Sequence, residues 1–523
     1  MERCICIHGH FYQPPREDPL TGEIPFESGA SPYKNWNEKI HDQCYRPNAE
    51  LGNFGRISFN IGPTLVDWMA GYDAMTLKAI IEQERATFER YGVGNGMAQA
   101  YNHTILPLAT RIDKITQVRW GLADFYHRFG HKPSGMWLPE ACVDEETLEV
   151  LIDHGIEFVI LAPWQAEETH LDTSQPYLVN LASGRQITAF FYNQDLSTRI
   201  SFDPPSTVNA DEFITQHLLP KYRVDTGKLE LQPQLIMAAS DGELYGHHQN
   251  FRDKFLSHLM NGAIRKHPIQ PTYPAVWLKQ FPPQKRTGIR FFTSWSCHHG
   301  VTRWMGTCGC TEHAEWKAPL RQAFNEIARA LDDQYEQAMS PIFSDPWEMR
   351  HAYIHVLLKE VKLAEWLQGQ ARIALDEAAY RKISLLLAAG VYLYSVSATL
   401  PEIGVDRSAL SQARTSVVYA ADGTVLARWH GEQDRTYVTL DSIPATMRNA
   451  VVAIEDERFY EHSGVDGEAI ARALRVNAEA GAYAQGGSTI TQQVVKLLFT
   501  DGERTLGRKI REALLAFELE TRA

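Results

Sequence analysis

Leu235-Ile236-Met237-Ala238-Ala239, running into Ser240-Asp241-Gly242-Glu243, is an uninterrupted apolar stretch that stops at polar turn formers. A short run of this kind reads as a strand buried on both faces, the signature of a parallel sheet covered by helices. Three more units follow the same plan: Cys4 to Ile7, Gly155 to Leu161 before Ala162-Pro163-Trp164, and Ile289 to Thr293 before Ser294-Trp295. After Ile7, the turn-like His8-Gly9-His10-Phe11-Tyr12-Gln13-Pro14-Pro15 predicts that the strand has ended. Helical patterns over Ala74 to Tyr91 and Glu145 to His154 lie between such units. The alternation predicts an α/β fold, a β/α barrel complete or one unit short, with polar side chains at the strand ends.

Beyond residue 310 the pattern changes. From Thr311 to Lys382 apolar positions recur every three or four residues around Ile327, Leu331, Leu357 and Leu363, which predicts a helical annex interrupted at Asp345-Pro346-Trp347. Ile383 to Leu400 then runs for eighteen residues without a charge, preceded by Arg381-Lys382. That stretch is expected to span a bacterial inner membrane once, with the barrel cytoplasmic and the remainder extracytoplasmic; the other reading is a buried helix in a wholly cytoplasmic chain. Val417-Val418-Tyr419, Asp422-Gly423 and Thr424 to Ala427 predict a hairpin, and the chain reads as helical after Pro444. The expected domains are 1–310, 311–382, the span 383–400, and 411–523.

The chain has 523 residues, 44% hydrophobic and 22% charged, a balance that suits folded domains and a length that suits more than one. A net charge of -13 offers no general steering toward phosphate backbones, so no nucleic-acid partner is expected. The seven cysteines, odd in number and all before residue 311, read as reduced thiols of a cytosolic domain.

Glu140, in Trp137-Leu138-Pro139-Glu140, and Asp241, at the end of an apolar strand, both suit the mouth of a barrel. Two carboxyl groups about 5 to 5.5 Å apart with separated pKa values are what retaining glycosyl transfer requires. Together with His8-Gly9-His10 through Gln13-Pro14, Gly94 through His103, Ser240 through His247, and Thr293 through Cys297, these segments resemble glycoside hydrolase family 57, in the branch with a helical C-terminal extension. The resemblance implies an incomplete (β/α)7 barrel acting on α-glucan or a related oligosaccharide by hydrolysis or transfer. It implies Glu140 as nucleophile and Asp241 as acid/base, with no cofactor.

His8, His10, Gln13, Asn102, His103, Trp137, His247 and Trp295 are the candidate sugar contacts, with Trp137 as a flat wall and His247 orienting Asp241 or a hydroxyl. Cys297-His298-His299 and Cys308-Gly309-Cys310 lack the spacing of paired Cys-x-x-Cys knuckles, so no metal is expected there. Two rival functions are a metal-dependent carbohydrate esterase using Asp241, His247 and His8, and a non-catalytic, membrane-tethered glycan-binding protein.

Toward the C-terminus, Glu455-Asp456-Glu457-Arg458-Phe459-Tyr460-Glu461-His462, Gln485-Gly486-Gly487-Ser488-Thr489-Ile490-Thr491-Gln492-Gln493, and Arg504 through Glu512 put an acidic cluster, a hydroxyl-bearing turn and basic residues in series. They resemble glycosyltransferase family 51, the lysozyme-like, mainly-α peptidoglycan glycosyltransferase of penicillin-binding proteins. By that resemblance Glu455 is the general base and Glu512 assists the departing diphosphate, directly or through Mg or Mn. Lys496, Arg504 and Lys509 contact the diphosphate, Ser488, Thr489 and Gln492 shape the donor cleft, and the partner is a lipid-linked peptidoglycan precursor. A partial, independently inactive domain is expected, because the chain stops soon after Glu512.

Overall fold

The computed structural model describes residues 2–17, 23–223, 232–310 and 317–373, then shorter stretches, chiefly 416–419, 425–429, 440–462 and 487–499, with isolated positions that include Ile383, Leu387 and Glu512. Strand β1 (Arg3–Phe11) pairs in parallel with β2 (Ser58–Ile61) on one side and β8 (Gln234–Asp241) on the other. Outward from β2 come β3 (Gly96–Gln99) and β4 (Met136–Trp137). A second sheet contains β5 (Phe158–Leu161), β6 (Tyr177–Asn180), β7 (Gln186–Phe191) and β10 (Lys285–Thr287); β9 (Gln270–Pro271) flanks β1.

A parallel bridge from Gly135 to Phe158 joins the two sheets beside β4 and β5, and the Asn193 N–H donates to the Met237 carbonyl at 2.7 Å across the other seam. The result is an incomplete curled sheet, a half-barrel parallel except where β6 meets β7, where the sequence implied an incomplete (β/α)7 barrel.

Alternation along the strands sorts the core into two shells. Cys4, Cys6, Trp137, Phe158, Ile160, Leu235 and Met237 pack together inside the curl. Ile5, Ile7, Phe59, Val159, Leu161 and Ile236 pack outward with the helices. A period of two therefore carries His8 and His10 onto the face of Cys4 and Cys6, and Asp241 onto that of Leu235 and Met237.

This corrects the early end expected for the first strand, since β1 continues through His8 and His10 to Phe11. Ile289 to Thr293 also departs from expectation: it forms only isolated antiparallel bridges, Ala166 to Ile289 and Val143 to Thr293, and Phe292 takes a left-handed φ of 58° that no strand accommodates.

Helix Ala74–Tyr91 starts on the Asp73 carboxylate, which accepts from the Met75 and Thr76 N–H groups, and ends at left-handed Gly92. Helix Arg111–Phe129 is capped by Thr110 and packs Gly121 against β3 so closely that a Cβ there would lie 1.9 Å from the Gln99 carbonyl oxygen. Gly121→Ala is expected to cost on the order of 3 kcal/mol, read as a lower urea midpoint, because backbone cannot yield as a side-chain tip can. An unchanged midpoint would show that the helix does not seat there.

The annex includes helices Lys317–Met339, Pro346–Ala352 and Leu363–Gln370. It clamps the far side of Arg111–Phe129: Trp120 Nε1 donates to the His351 carbonyl at 2.8 Å, and Arg119 makes a two-pronged ion pair with Glu348 at 2.6 and 2.7 Å.

The expected membrane span is overturned, and the single-pass inner-membrane arrangement with it. Among the described residues no helix is long and apolar enough to cross a membrane. Ile383 and Leu387, one helical turn apart, are buried in the annex core with Trp120, Tyr353 and Leu367. The apolar character of the segment's start is thus used for packing within the protein. The rest of Ile383 to Leu400 lies outside the described residues.

Strands β11 (Ser416–Tyr419) and β12 (Val425–Trp429) form the expected antiparallel hairpin, and helices Ala445–Glu455 and Ile490–Phe499 follow.

Candidate active site

Register brings His10 and Asp241 side by side at the C-terminal ends of β1 and β8. Around them runs a buried polar chain. The His8 ring bonds Ser58 Oγ through Nδ1 at 3.0 Å and Asn60 Oδ1 through Nε2 at 3.2 Å. Asn60 Nδ2 donates to His10 Nδ1 at 2.8 Å and to Gln99 Oε1 at 2.6 Å, and His10 Nε2 meets His103 Nε2 at 3.0 Å.

Burial pushes His8 down to about 3 and His10 down to about 4, with their mutual repulsion adding to the effect on His8. Both rings are therefore neutral at physiological pH, suited to exchanging hydrogen bonds with hydroxyls.

Glu140 sits one turn beyond β4, on the single turn Pro139–Ala141. Its backbone is left-handed, φ 57° and ψ 18°, as is Ala141 at φ 48°. A non-glycine residue holds this conformation only when its surroundings dictate it. Here the Trp295 N–H donates to the Glu140 carbonyl at 3.0 Å, the Ala141 N–H donates to the Leu138 carbonyl at 2.7 Å, and buried Gln165 donates from Nε2 to the Ala141 carbonyl at 2.8 Å.

Asp241 opens to the cleft, yet protein surrounds its carboxyl closely enough that burial, and then the Glu140 charge, push it up to about 7. A nearby like charge disfavours the ionised form, so Glu140 and burial act on the Asp241 carboxyl in the same direction. Glu243, buried two residues past Asp241, is pushed up to about 8 by burial against the opposing effect of its Tyr45 hydrogen bond, with Asp241 adding repulsion. It accepts from the Tyr45 hydroxyl at 2.6 Å and from the Tyr12 N–H at 3.1 Å.

The aromatic wall differs from expectation. Trp137 is 0% exposed and stacks beneath His8 and His10, at 4.9 and 5.1 Å between centroids, so it is a floor under the imidazoles and presents no face to a sugar. Half-buried Trp295 stands edge-on to it at 4.9 Å. Half-buried Trp164 anchors its Nε1 to the Ser294 carbonyl at 2.9 Å and lies edge-on to Tyr192.

His247 does not orient Asp241 through its Nδ1, which bonds Gln43 Oε1 at 2.7 Å. Gln13 receives Arg16 at 2.9 Å, and buried Asn102 is held by Gln117, which donates to its Oδ1 at 2.8 Å. Among the described residues, the groupings that could hold a metal include none of Asp241, His247 and His8, which removes the convergence required of the esterase.

Sequence reasoning missed Glu243, Tyr45 and Trp164 as site residues. Glu243 and Trp164 lay within motifs already singled out, immediately past strand ends; nothing local marked Tyr45, whose role comes from a contact 198 residues away.

In the C-terminal region, exposed Glu455 closes its helix and accepts from Gln493 Nε2 at 2.9 Å. Thr489 donates to the Gly464 carbonyl at 2.6 Å, and its N–H donates to Gln492 Oε1 at 2.9 Å. Ser488 is half-buried beside them, Lys496 is exposed on Ile490–Phe499, and Glu512 is buried; Arg504 and Lys509 lie outside the described residues. Asp456, His462 and Asp466 converge to within 4.8 Å, a group that could hold a divalent cation, although Asp466 already pairs with Arg458 and Asp456 with His462.

Comparison with known proteins fits this layout. The fold resembles an exo-type maltose-forming amylase from Pyrococcus sp. ST04, with a TM-score of 0.59 and 16% identity over 76% of this chain and 75% of that one. It also resembles a branching enzyme from Thermococcus kodakaraensis, with a TM-score of 0.51 and 16% identity over 76% and 86%. Residues 313–388 match a domain of unknown function, and residues 422–523 match the transglycosylase family.

Penicillin-binding protein 1A of Aquifex aeolicus is 46% identical over 138 residues, 26% of this chain and 19% of that protein. The chain spans less than a fifth of the curated relatives it matches. It thus joins a carbohydrate-active domain to a fragment like the transglycosylase of those relatives. The model for glycosyl hydrolase family 57 matches residues 15–290, more than half of the chain, and to that family this protein belongs.

Proposed function

We propose that the chain is a retaining enzyme of α-glucans or related α-glycosides, in which Glu140 attacks the anomeric carbon and Asp241 protonates the departing oxygen. The observation that carries this reading is the placement of Asp241 beside His10 at the C-terminal ends of β8 and β1, where burial and the Glu140 charge push its carboxyl up to about 7. Near neutrality it retains a proton to donate, and after donation it can take one from water or from a sugar hydroxyl, completing hydrolysis or transfer. Neutral His10 and His103 would bind hydroxyls, and Trp295 and Trp164 would flank the ring.

The sign of the pH dependence follows. Asp241 is protonated below about 7, so kcat/KM should fall as pH rises through that value. The decisive assay gives linear and branched α-glucans to the protein and follows pH profile, product anomeric configuration and acceptor use together. Inverted products would rule out the paired-carboxylate reading.

For residues 411–523 we propose a partial peptidoglycan glycosyltransferase acting on lipid-linked precursor, with Glu455 as base and Glu512 assisting the leaving diphosphate. Identity to the penicillin-binding proteins supports it. Mg or Mn at Asp456, His462 and Asp466 would supply charge neutralisation.

A further inference from the structure

Past Trp295, the chain makes two tight returns that gather four soft donors. Cys297 and Cys308 are buried, and His299 and Cys310 are exposed beside them. Cys297 Sγ lies 3.6 Å from Cys310 Sγ and 3.7 Å from His299 Nδ1, while Cys310 Sγ lies 3.3 Å from the same nitrogen. With Cys308, all four donor atoms fall within 4.8 Å of one another.

A tetrahedral zinc ion with bonds of about 2.3 Å to sulfur and about 2.0 Å to nitrogen has edges of roughly 3.8 Å between sulfurs and 3.5 Å from sulfur to nitrogen. The observed separations sit at those edges. They are too long for a disulfide, whose sulfurs stand about 2.05 Å apart.

The backbone is shaped to the same end. Gly309, between two of the cysteines, is left-handed at φ 72°, and Gly300 at φ 60° passes so close to the Phe292 carbonyl that a Cβ would lie 2.1 Å from its oxygen. These returns bring Cys-x-His and Cys-x-Cys pairs to one point, although neither pair has the familiar knuckle spacing.

We propose that Cys297, His299, Cys308 and Cys310 form a structural zinc site. Three thiolates and one imidazole complete a four-ligand shell and leave no position for a reacting water, so the ion fastens structure and takes no part in turnover. What it fastens is the cleft wall: the loop entering Cys297 carries Trp295, which caps the Glu140 carbonyl, and Ser294, which anchors Trp164. Neither the donor set nor this role depends on the assignment of Glu140 and Asp241.

The test uses the full chain, purified without chelator and analysed for metal. We expect about one zinc per chain, released when a mercurial reagent titrates the thiols. Cobalt exchanged into the protein should give thiolate-to-metal charge-transfer absorption and the strong d–d bands of a tetrahedral site. Cys310→Ala and His299→Ala, both at exposed positions, should lose the ion on gel filtration and unfold at lower temperature. An Asp456→Ala, Asp466→Ala double variant should keep it. Zinc-free protein that takes up no cobalt, metal retained in both ligand variants, or a Cys297–Cys310 disulfide found by mapping would each overturn the proposal.

Discussion

Glu140→Gln should lower α-glucan turnover by roughly four orders of magnitude with little change in folding, because an amide of the same shape replaces the attacking oxygen. Shape is conserved and charge is lost, so the left-handed turn and its bond from Trp295 should survive. Two further readouts separate a nucleophile from a structural acid. Azide added to Glu140→Ala should restore turnover and give a glycosyl azide of inverted configuration, since the small anion enters the vacated space and only one displacement occurs. The Asp241 carboxyl, relieved of the Glu140 charge that helps burial push it up to about 7, should titrate lower than in the parent. Turnover within tenfold of the parent, or an unmoved Asp241 titration, would show that Glu140 does not face the reacting carbon.

Asp241→Asn should fail in a different way. On glucans, whose leaving alkoxide needs a proton, the rate should fall by about three orders of magnitude. On an α-glycosyl fluoride, whose leaving group needs little proton assistance, formation of the covalent intermediate should be nearly normal, and its breakdown should become limiting because no base activates water. A burst of fluoride followed by a slow steady state is the expected trace. An equal loss on both substrates, without a burst, would assign Asp241 to positioning.

Much of this arrangement was legible because strands announce themselves by composition and polar groups cluster at their ends. The apolar stretch before Asp241 and the helix Ala74–Tyr91 are both where the sequence puts them. The misreadings share a physical cause. Trp137 and Ile383 are apolar residues whose local sequence cannot say what will cover them, and tertiary packing covers both completely or nearly so. Ile289 to Thr293 has β-prone composition, but left-handed Phe292 breaks the ladder, and composition carries no sign of φ. The cysteines were judged on linear spacing, whereas convergence depends on returns at Gly300 and Gly309. Tyr45 is reached only through the fold that brings it to Glu243.

The disfavoured backbone at Glu140 sets stability and turnover against each other at a single position. Glycine would adopt the same turn without steric penalty. A mutant library selected for heat resistance alone should therefore enrich glycine at this codon, and its hardiest survivors would be catalytically dead.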